Sequence, residues 1–212
     1  MRIRRKPNLI PRMERCSHVL ICDPPALRGA WLESKPQLTR LWVELGCGKG
    51  SFTAETAAQN PDAYLVAIEK VPDAMVMAME CACRNDLQNV SFIDTDAVCL
   101  PLVFSENEVD RIFINFCDPW PKSRDAKHRL TSPGFLKLYA DILKPEGELH
   151  FKTDNSPLFE YSLLQFQEQG WTVSQVTRNL HENGIQGVMT DYEAKFHAQG
   201  VPINRLVAKK EG

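Results

Sequence analysis

Leu41-Trp42-Val43-Glu44-Leu45-Gly46-Cys47-Gly48-Lys49-Gly50-Ser51-Phe52 is an apolar run that ends on an acid and opens into three alternate glycines. The run reads as a buried strand, and the glycines as a tight turn that lets a ligand approach the backbone before a helix starts at Ser51. A dinucleotide loop spaces its glycines G-x-G-x-x-G so that pyrophosphate rests on the helix N-terminus. Here the spacing is G-x-G-x-G, and Glu44 stands where it would repel a pyrophosphate. S-adenosylmethionine has no phosphate but carries a sulfonium and an ammonium group, which an acid beside glycine suits. Glu44, Gly46 and Gly48 are therefore candidate cofactor-binding residues.

Outward from this loop, apolar runs alternate with helix-period stretches, the pattern of an α/β domain on a mostly parallel sheet. Strands are expected over residues 41–45, 64–69, 90–93, 111–116, 148–152, 172–177 and 203–209, with helices over 51–59, 73–85, 132–143, 156–168 and 191–198. Ligands of such sheets sit outside the carboxyl ends of the strands. Glu44 leaves the first strand, Glu69 ends the second, Asp94 and Asp96 follow the third, Asp118 the fourth and Asp154 the fifth. One acid at a strand end is often a helix cap, but acids from five strands at one rim point to a shared ligand. Glu69, 25 residues after Glu44, is placed to accept both ribose hydroxyls, and Asp96 to approach the adenine.

The 212 residues, 43% hydrophobic and 25% charged, suit one domain over residues 1–212, without repeats or a second boundary. Residues 1–15 make a basic arm in which Arg2, Arg4, Arg5, Lys6, Arg12 and Arg15 meet only Glu14. Such an arm is either a solvated terminus or a phosphate-binding one. Pro7-Asn8 stands where a signal peptide needs its apolar stretch, and no apolar run approaches the roughly 18 residues of a membrane-spanning helix. Seven cysteines without a C-x-x-C pair suggest neither a disulfide framework nor a zinc site. A cytoplasmic protein without a metal is expected. The formal net charge of −2 argues against non-specific coating of nucleic acid, not against a local basic patch.

Such a patch follows the fourth strand. Phe116-Cys117-Asp118-Pro119-Trp120-Pro121-Lys122 is a stiff loop with an aromatic face on which a planar base can stack, and Lys122, Arg124, Lys127, His128 and Arg129 set cations for a polyanion beside Asp118.

From Leu41 to Val207 the chain resembles the bacterial tRNA (guanine-N(7)-)-methyltransferases. The resemblance rests on Glu44 to Gly50, Asp118-Pro119-Trp120-Pro121-Lys122, Arg129-Leu130, Phe151-Lys152-Thr153-Asp154-Asn155 and Thr190-Asp191-Tyr192-Glu193-Ala194-Lys195-Phe196. It implies the Rossmann-like, class I S-adenosylmethionine-dependent fold with seven strands, and as substrate a guanosine of the tRNA variable loop, position 46. It also implies that Glu44, Glu69, Asp96 and Asp118 bind the cofactor, that Asp118 is catalytic, and that Lys122, Asp154, Thr190, Asp191, Tyr192 and Glu193 bind substrate. Family members usually carry more basic or histidine character at the positions of Asp125 and His128, so this loop should attract phosphate less.

Elementary chemistry agrees. Guanine N7 has a free lone pair and no proton to lose, so attack on a sulfonium methyl needs positioning more than a strong base. Guanine N1–H and its 2-amino group can both donate to one carboxylate, for which Asp154 and Glu193 are the candidates. Asp118 is the best placed to stabilise the positive charge of the product. A base-amine methyltransferase would need an Asp-Pro-Pro-aromatic loop, and Trp120 stands at the second proline. A non-catalytic RNA-binding module would not need the full set of acids and glycines. The sequence is compatible with a monomer or a homodimer.

Overall fold

A computed structural model describes residues 6–210. Seven strands form one sheet: β1 (Arg40–Leu45), β2 (Ala63–Glu69), β3 (Val90–Asp94), β4 (Val109–Asn115), β5 (Leu143–Thr153), β6 (Trp171–Thr177) and β7 (Asn204–Lys210), in the order β3-β2-β1-β4-β5-β7-β6. β7 runs antiparallel to β5 and β6, and the pairs among β1 to β5 are parallel. The helices are α1 (Leu9–Arg15), α2 (Ser51–Gln59), α3 (Pro72–Arg84), α4 (Leu100–Val103), α5 (Pro133–Ile142), α6 (Ser156–Glu168) and α7 (Asp191–Ala198). None of these is long and apolar enough to cross a membrane.

The central strand is buried on both faces, which is why its sequence is an apolar run rather than an alternation. Leu41, Val43 and Leu45 enter one core layer with Tyr139, Phe159 and Phe166 of α5 and α6. Trp42 enters the other, with Phe52, Met75 and Met79 of α2 and α3. Helices therefore cover both faces, as the alternating pattern led us to expect.

Three regions differ from the sequence reading, one of them the short helix α4, where none is expected. β5 starts at Leu143, earlier than the expected residue 148, because Leu143 pairs with Val109 across a register shift despite Pro145 and Gly147. The basic arm contains a helix: in α1 the Arg12 guanidinium donates two bonds to Glu80 of α3, at 2.7 and 2.6 Å, so Arg12 is not free to meet phosphate. The Lys6 amide donates to Asp73. Arg2, Arg4 and Arg5 lie outside the described residues.

Gly50 explains how tightly α2 is set against α3. Its φ is +82°, and a Cβ there would fall 2.5 Å from the Ala78 Cβ and 2.6 Å from its Cα. Gly50→Ala combines left-handed strain with overpacking, so a loss of about 3 kcal/mol in urea unfolding is expected. Gly46→Ala, whose Cβ would meet nothing within 4 Å, should lose only about 1 kcal/mol from the strain at φ +77°.

Candidate active site

The glycine loop turns over the carboxyl end of β1. The Gly46 and Cys47 amides donate to the Ile68 carbonyl at 2.8 and 3.2 Å, which pins the turn to β2. Glu69, ending β2, accepts from the Gly48 amide (3.0 Å) and from the Val71 amide (3.0 Å). One carboxylate thus ties the glycine loop to the entry of α3. No protein atom lies within 4 Å of where a Cβ would stand on Gly46 or Gly48, so the loop leaves open space for a ligand.

Glu44 lies beneath this loop, 1% exposed, and accepts from the Thr53 hydroxyl at 2.6 Å. Burial disfavours its charged form and raises its pKa from 4.5 to about 7, while Thr53, Asn115 and the Lys152 charge pull the other way. A cation brought to such a carboxyl favours its ionised form. Asp96 is a cap as well as a rim residue: it accepts from the Val98 amide (3.2 Å) and pairs with Lys70 at 3.2 Å. That pairing spends part of the acid's capacity before any ligand arrives.

The loop after β4 is strained where it carries chemistry. Phe116 and Trp120, flanking Asp118, have φ of 55° and 43°, a left-handed region that bulky residues rarely occupy. Arg129 holds this shape by donating to the carbonyls of Pro119 (3.0 Å) and Trp120 (2.9 Å), with its guanidinium 4.2 Å over the Tyr161 ring. Arg129, a candidate for phosphate contact, is therefore engaged as a clamp on the loop. Lys122, Arg124, Lys127 and His128 are exposed, the last with its ring 5.2 Å from Trp120. Asp118 is exposed and forms no hydrogen bond or ion pair with any described residue.

Asp154 and Glu193 part company. Asp154, half-buried just beyond β5, has no hydrogen-bond partner among the described residues. Glu193 is 0% exposed and fully engaged: Lys152 donates to Oε2 at 2.5 Å, His181 Nε2 to Oε1 at 2.9 Å, and the Thr190 amide to Oε2 at 3.2 Å. The Gln186 amide donates to His181 Nδ1 at 3.1 Å, so His181 is a neutral imidazole with its proton on Nε2. Burial lowers the pKa of Lys152, which the Glu193 carboxylate counters. The expectation that Glu193 can grip a base edge is thereby corrected, since its oxygens are taken and sealed from solvent.

The same ties bring the carboxyl-terminal motif to the rim. Thr190 caps α7, accepting from the Glu193 amide at 3.0 Å, and the Asp191 amide donates to the Ser51 hydroxyl at 3.1 Å. Phe116, Phe196 and Tyr192 form a row of stacked rings, with centroids 6.5 and 6.2 Å apart, between the strained loop and α7. Tyr192 is 43% exposed, and Asp191 is exposed beside it. Sequence reasoning missed Thr53, Lys152 and His181. Thr53 had a signal, a hydroxyl in the first helical turn after an acidic loop, whereas His181 had none.

Residues 39–206 match the model of a family described as putative methyltransferase. A tRNA (guanine-N(7)-)-methyltransferase of Bacillus cytotoxicus is 40% identical over 99% of this chain and 97% of its own length. Its counterparts in Bacillus licheniformis and Listeria monocytogenes are 41% and 40% identical over 99% of this chain, covering 99% and 98% of their own lengths. The chain belongs to the tRNA (guanine-N(7)-)-methyltransferase family. Solved structures share the fold of this methyltransferase family at low identity. The 16S rRNA methyltransferase KamB superposes with a TM-score of 0.64 at 17% identity, over 86% of this chain and 92% of its own. A 16S rRNA (adenine(1408)-N(1))-methyltransferase from Catenulisporales acidiphilia, solved with cosubstrate SAM, gives 0.63 at 16%, over 91% and 93%.

Removing Glu193 leaves Lys152 charged and unpaired in the interior. Glu193→Ala should destabilise the protein by about 3 to 5 kcal/mol, read in urea unfolding, and Glu193→Gln by less because an amide still fills the space. An unchanged midpoint in Glu193→Ala would refute the buried tie.

Proposed function

We propose that the protein transfers a methyl group from S-adenosylmethionine to N7 of a guanosine in tRNA, position 46 of the variable loop. The observation that carries this reading is the state of the rim acids: among the described residues Asp94, Asp118 and Asp154 have no side-chain partner, and the last two stand on adjacent strand ends beside an aromatic row. The near full-length likeness to enzymes named for this activity supports the same reading.

The donor supplies an electrophilic methyl on a cationic sulfur. Glu44, Gly46, Gly48 and Glu69 would hold it, with Asp96 toward the adenine. The fit is chemical: a desolvated acid under a glycine turn welcomes a cation, and no phosphate needs a cradle. Asp154 would accept from guanine N1–H and the 2-amino group, fixing which edge of the base faces the rim. Trp120 and Tyr192 offer exposed rings for stacking. Asp118 would stabilise the positive charge gained by the product base. The strained loop, clamped by Arg129, holds that carboxylate in place before the substrate arrives.

Transfer needs no proton abstraction, so labelled methyl should appear at guanine N7 of unmodified tRNA and be insensitive to chelator. Label on an adenine amine, or activity lost to EDTA while the tRNA stays folded, would contradict the reading. Asp154→Asn should lower kcat/KM for tRNA by 10-fold or more while leaving cofactor affinity unchanged.

The exposed cations Lys122, Arg124 and Lys127 would meet tRNA phosphates. Arg124→Ala with Lys127→Ala should reduce the slope of log affinity against log salt by roughly 0.7 to 0.9 per lost phosphate contact. Arg129→Ala should leave the slope near that of the wild type and lower turnover instead, because its role is inside the loop. Equal slope changes for both variants would assign Arg129 to the phosphates.

A further inference from the structure

Helices α2 and α3 cover one face of the sheet over β1 to β3, but over β4, β5 and β7 that face carries a loop reaching Val188 rather than a helix. Between them lies a cavity of about 310 Å³, walled by Trp42, Phe113, Thr56, Arg111, Lys152 and Arg205. It runs along the sheet face and reaches the strand ends at Asn115 and Lys152, and no carboxylate lines it among the described residues.

The cations divide sharply. Arg111 donates to Glu148 at 2.9 Å and Lys152 to Glu193 at 2.5 Å, so each has its counter-charge. The half-buried Arg205 side chain makes no hydrogen bond or ion pair with any described residue. Burial pulls its pKa below the usual arginine value, with the nearby Arg111 charge pulling the same way and Glu148 and Glu193 opposing. A guanidinium with five donors, no acceptor and no directly bonded counter-charge can take one anionic group. Two further polar atoms, the Thr56 hydroxyl and Arg111 Nε, are buried without a hydrogen-bond partner, a state native interiors seldom tolerate.

The remaining lining gives the size and kind of the anion's bearer. Gln59, Asn60 and Gln186 bring side-chain amides that can read the edge of a base. The Arg111 guanidinium lies 4.6 Å over Trp42 and 5.9 Å over Phe113, a cation–aromatic wall beside which a base can lie flat. A volume near 300 Å³ is at the small end for ligand sites, too large for phosphate alone.

We propose that this cavity is a nucleotide-binding site, with one phosphate on Arg205 and the nucleoside between the Arg111 wall and the amides of Gln59, Asn60 and Gln186. The nucleotide is either free or a residue of an RNA strand. None of the rim acids lines this site, and the proposal stands whether or not guanine N7 is the methyl acceptor.

Calorimetric titration of the full-length protein with guanosine 5′-monophosphate, inorganic phosphate and unmodified tRNA, repeated on Arg205→Gln, tests this. Arg205→Gln should keep its melting temperature and its S-adenosylmethionine affinity, since it removes a partly buried charge that had no partner. A 10-fold or greater loss of mononucleotide affinity with tRNA binding unchanged assigns the site to a free nucleotide. A comparable loss of tRNA affinity, with the mononucleotide too weak to measure, assigns it to the RNA strand. Unchanged binding of both would overturn the proposal, as would inorganic phosphate binding as tightly as the mononucleotide. Should Arg205→Gln fail to fold, the near-isosteric Thr56→Val carries the test: a threefold or greater loss is expected, and full affinity overturns the proposal. Methyl transfer, assayed in parallel, reports on the rim independently.

Discussion

A carboxyl group, Glu44, is shut under the glycine loop at the end of the central strand with one hydroxyl for company. A buried acid stays protonated or meets a positive charge, and this constraint shapes what surrounds it. The loop must turn tightly enough to pass over the acid, which requires left-handed backbone at Gly46, Gly48 and Gly50. The helix that follows must begin at once, which places Thr53 on the carboxyl and Gly50 against Ala78. Anion-binding versions of this turn present backbone amides to phosphate. Here an acid holds that ground, so the turn favours a cation.

A second buried charge system carries the influence of Glu44 across the sheet. Lys152 stands between the two carboxyls, hydrogen-bonded to Glu193 and lowering the pKa of Glu44 through its charge. Glu193 in turn fixes His181 and the start of α7, and α7 reaches back to Ser51 at the head of α2. The glycine loop and the carboxyl-terminal motif are therefore tied at two points, one buried and one at the rim. A net charge of −2 is therefore compatible with the proposed contact to a polyanion. Several acids are interior or engaged, while Lys122, Arg124 and Lys127 remain outside.

Much of the fold was legible because the strands are apolar runs and the stretches between them have helical periodicity. What was not legible depends on contacts distant in sequence. α1 contains Pro11 and two cations in seven residues, poor credentials for a helix, and is held to α3 by Glu80, 68 residues from Arg12. The spacing of Thr190 and Glu193 is that of a capping box, a local signal for the role Glu193 plays. Its other partners, Lys152 and His181, lie 41 and 12 residues away, and nothing in the motif points to them. Arg129 sits in a basic run and reads as one more surface cation, yet its partners are carbonyls 9 and 10 residues earlier.

The most direct measurement is a pH titration of the Glu44 side-chain carboxyl by carbon-detected NMR, in the free protein and with S-adenosylmethionine bound. The free protein should titrate near 7, above the ordinary 4.5. Because the folded value is raised, this group's contribution to stability is fully present below the ordinary value and is lost as pH rises through about 7. With the cationic ligand beside it the midpoint should fall by a unit or more, so that binding releases a proton near neutral pH and tightens as pH rises. A midpoint near 4.5 in the free protein, or one near 7 that does not move on binding, would contradict the account.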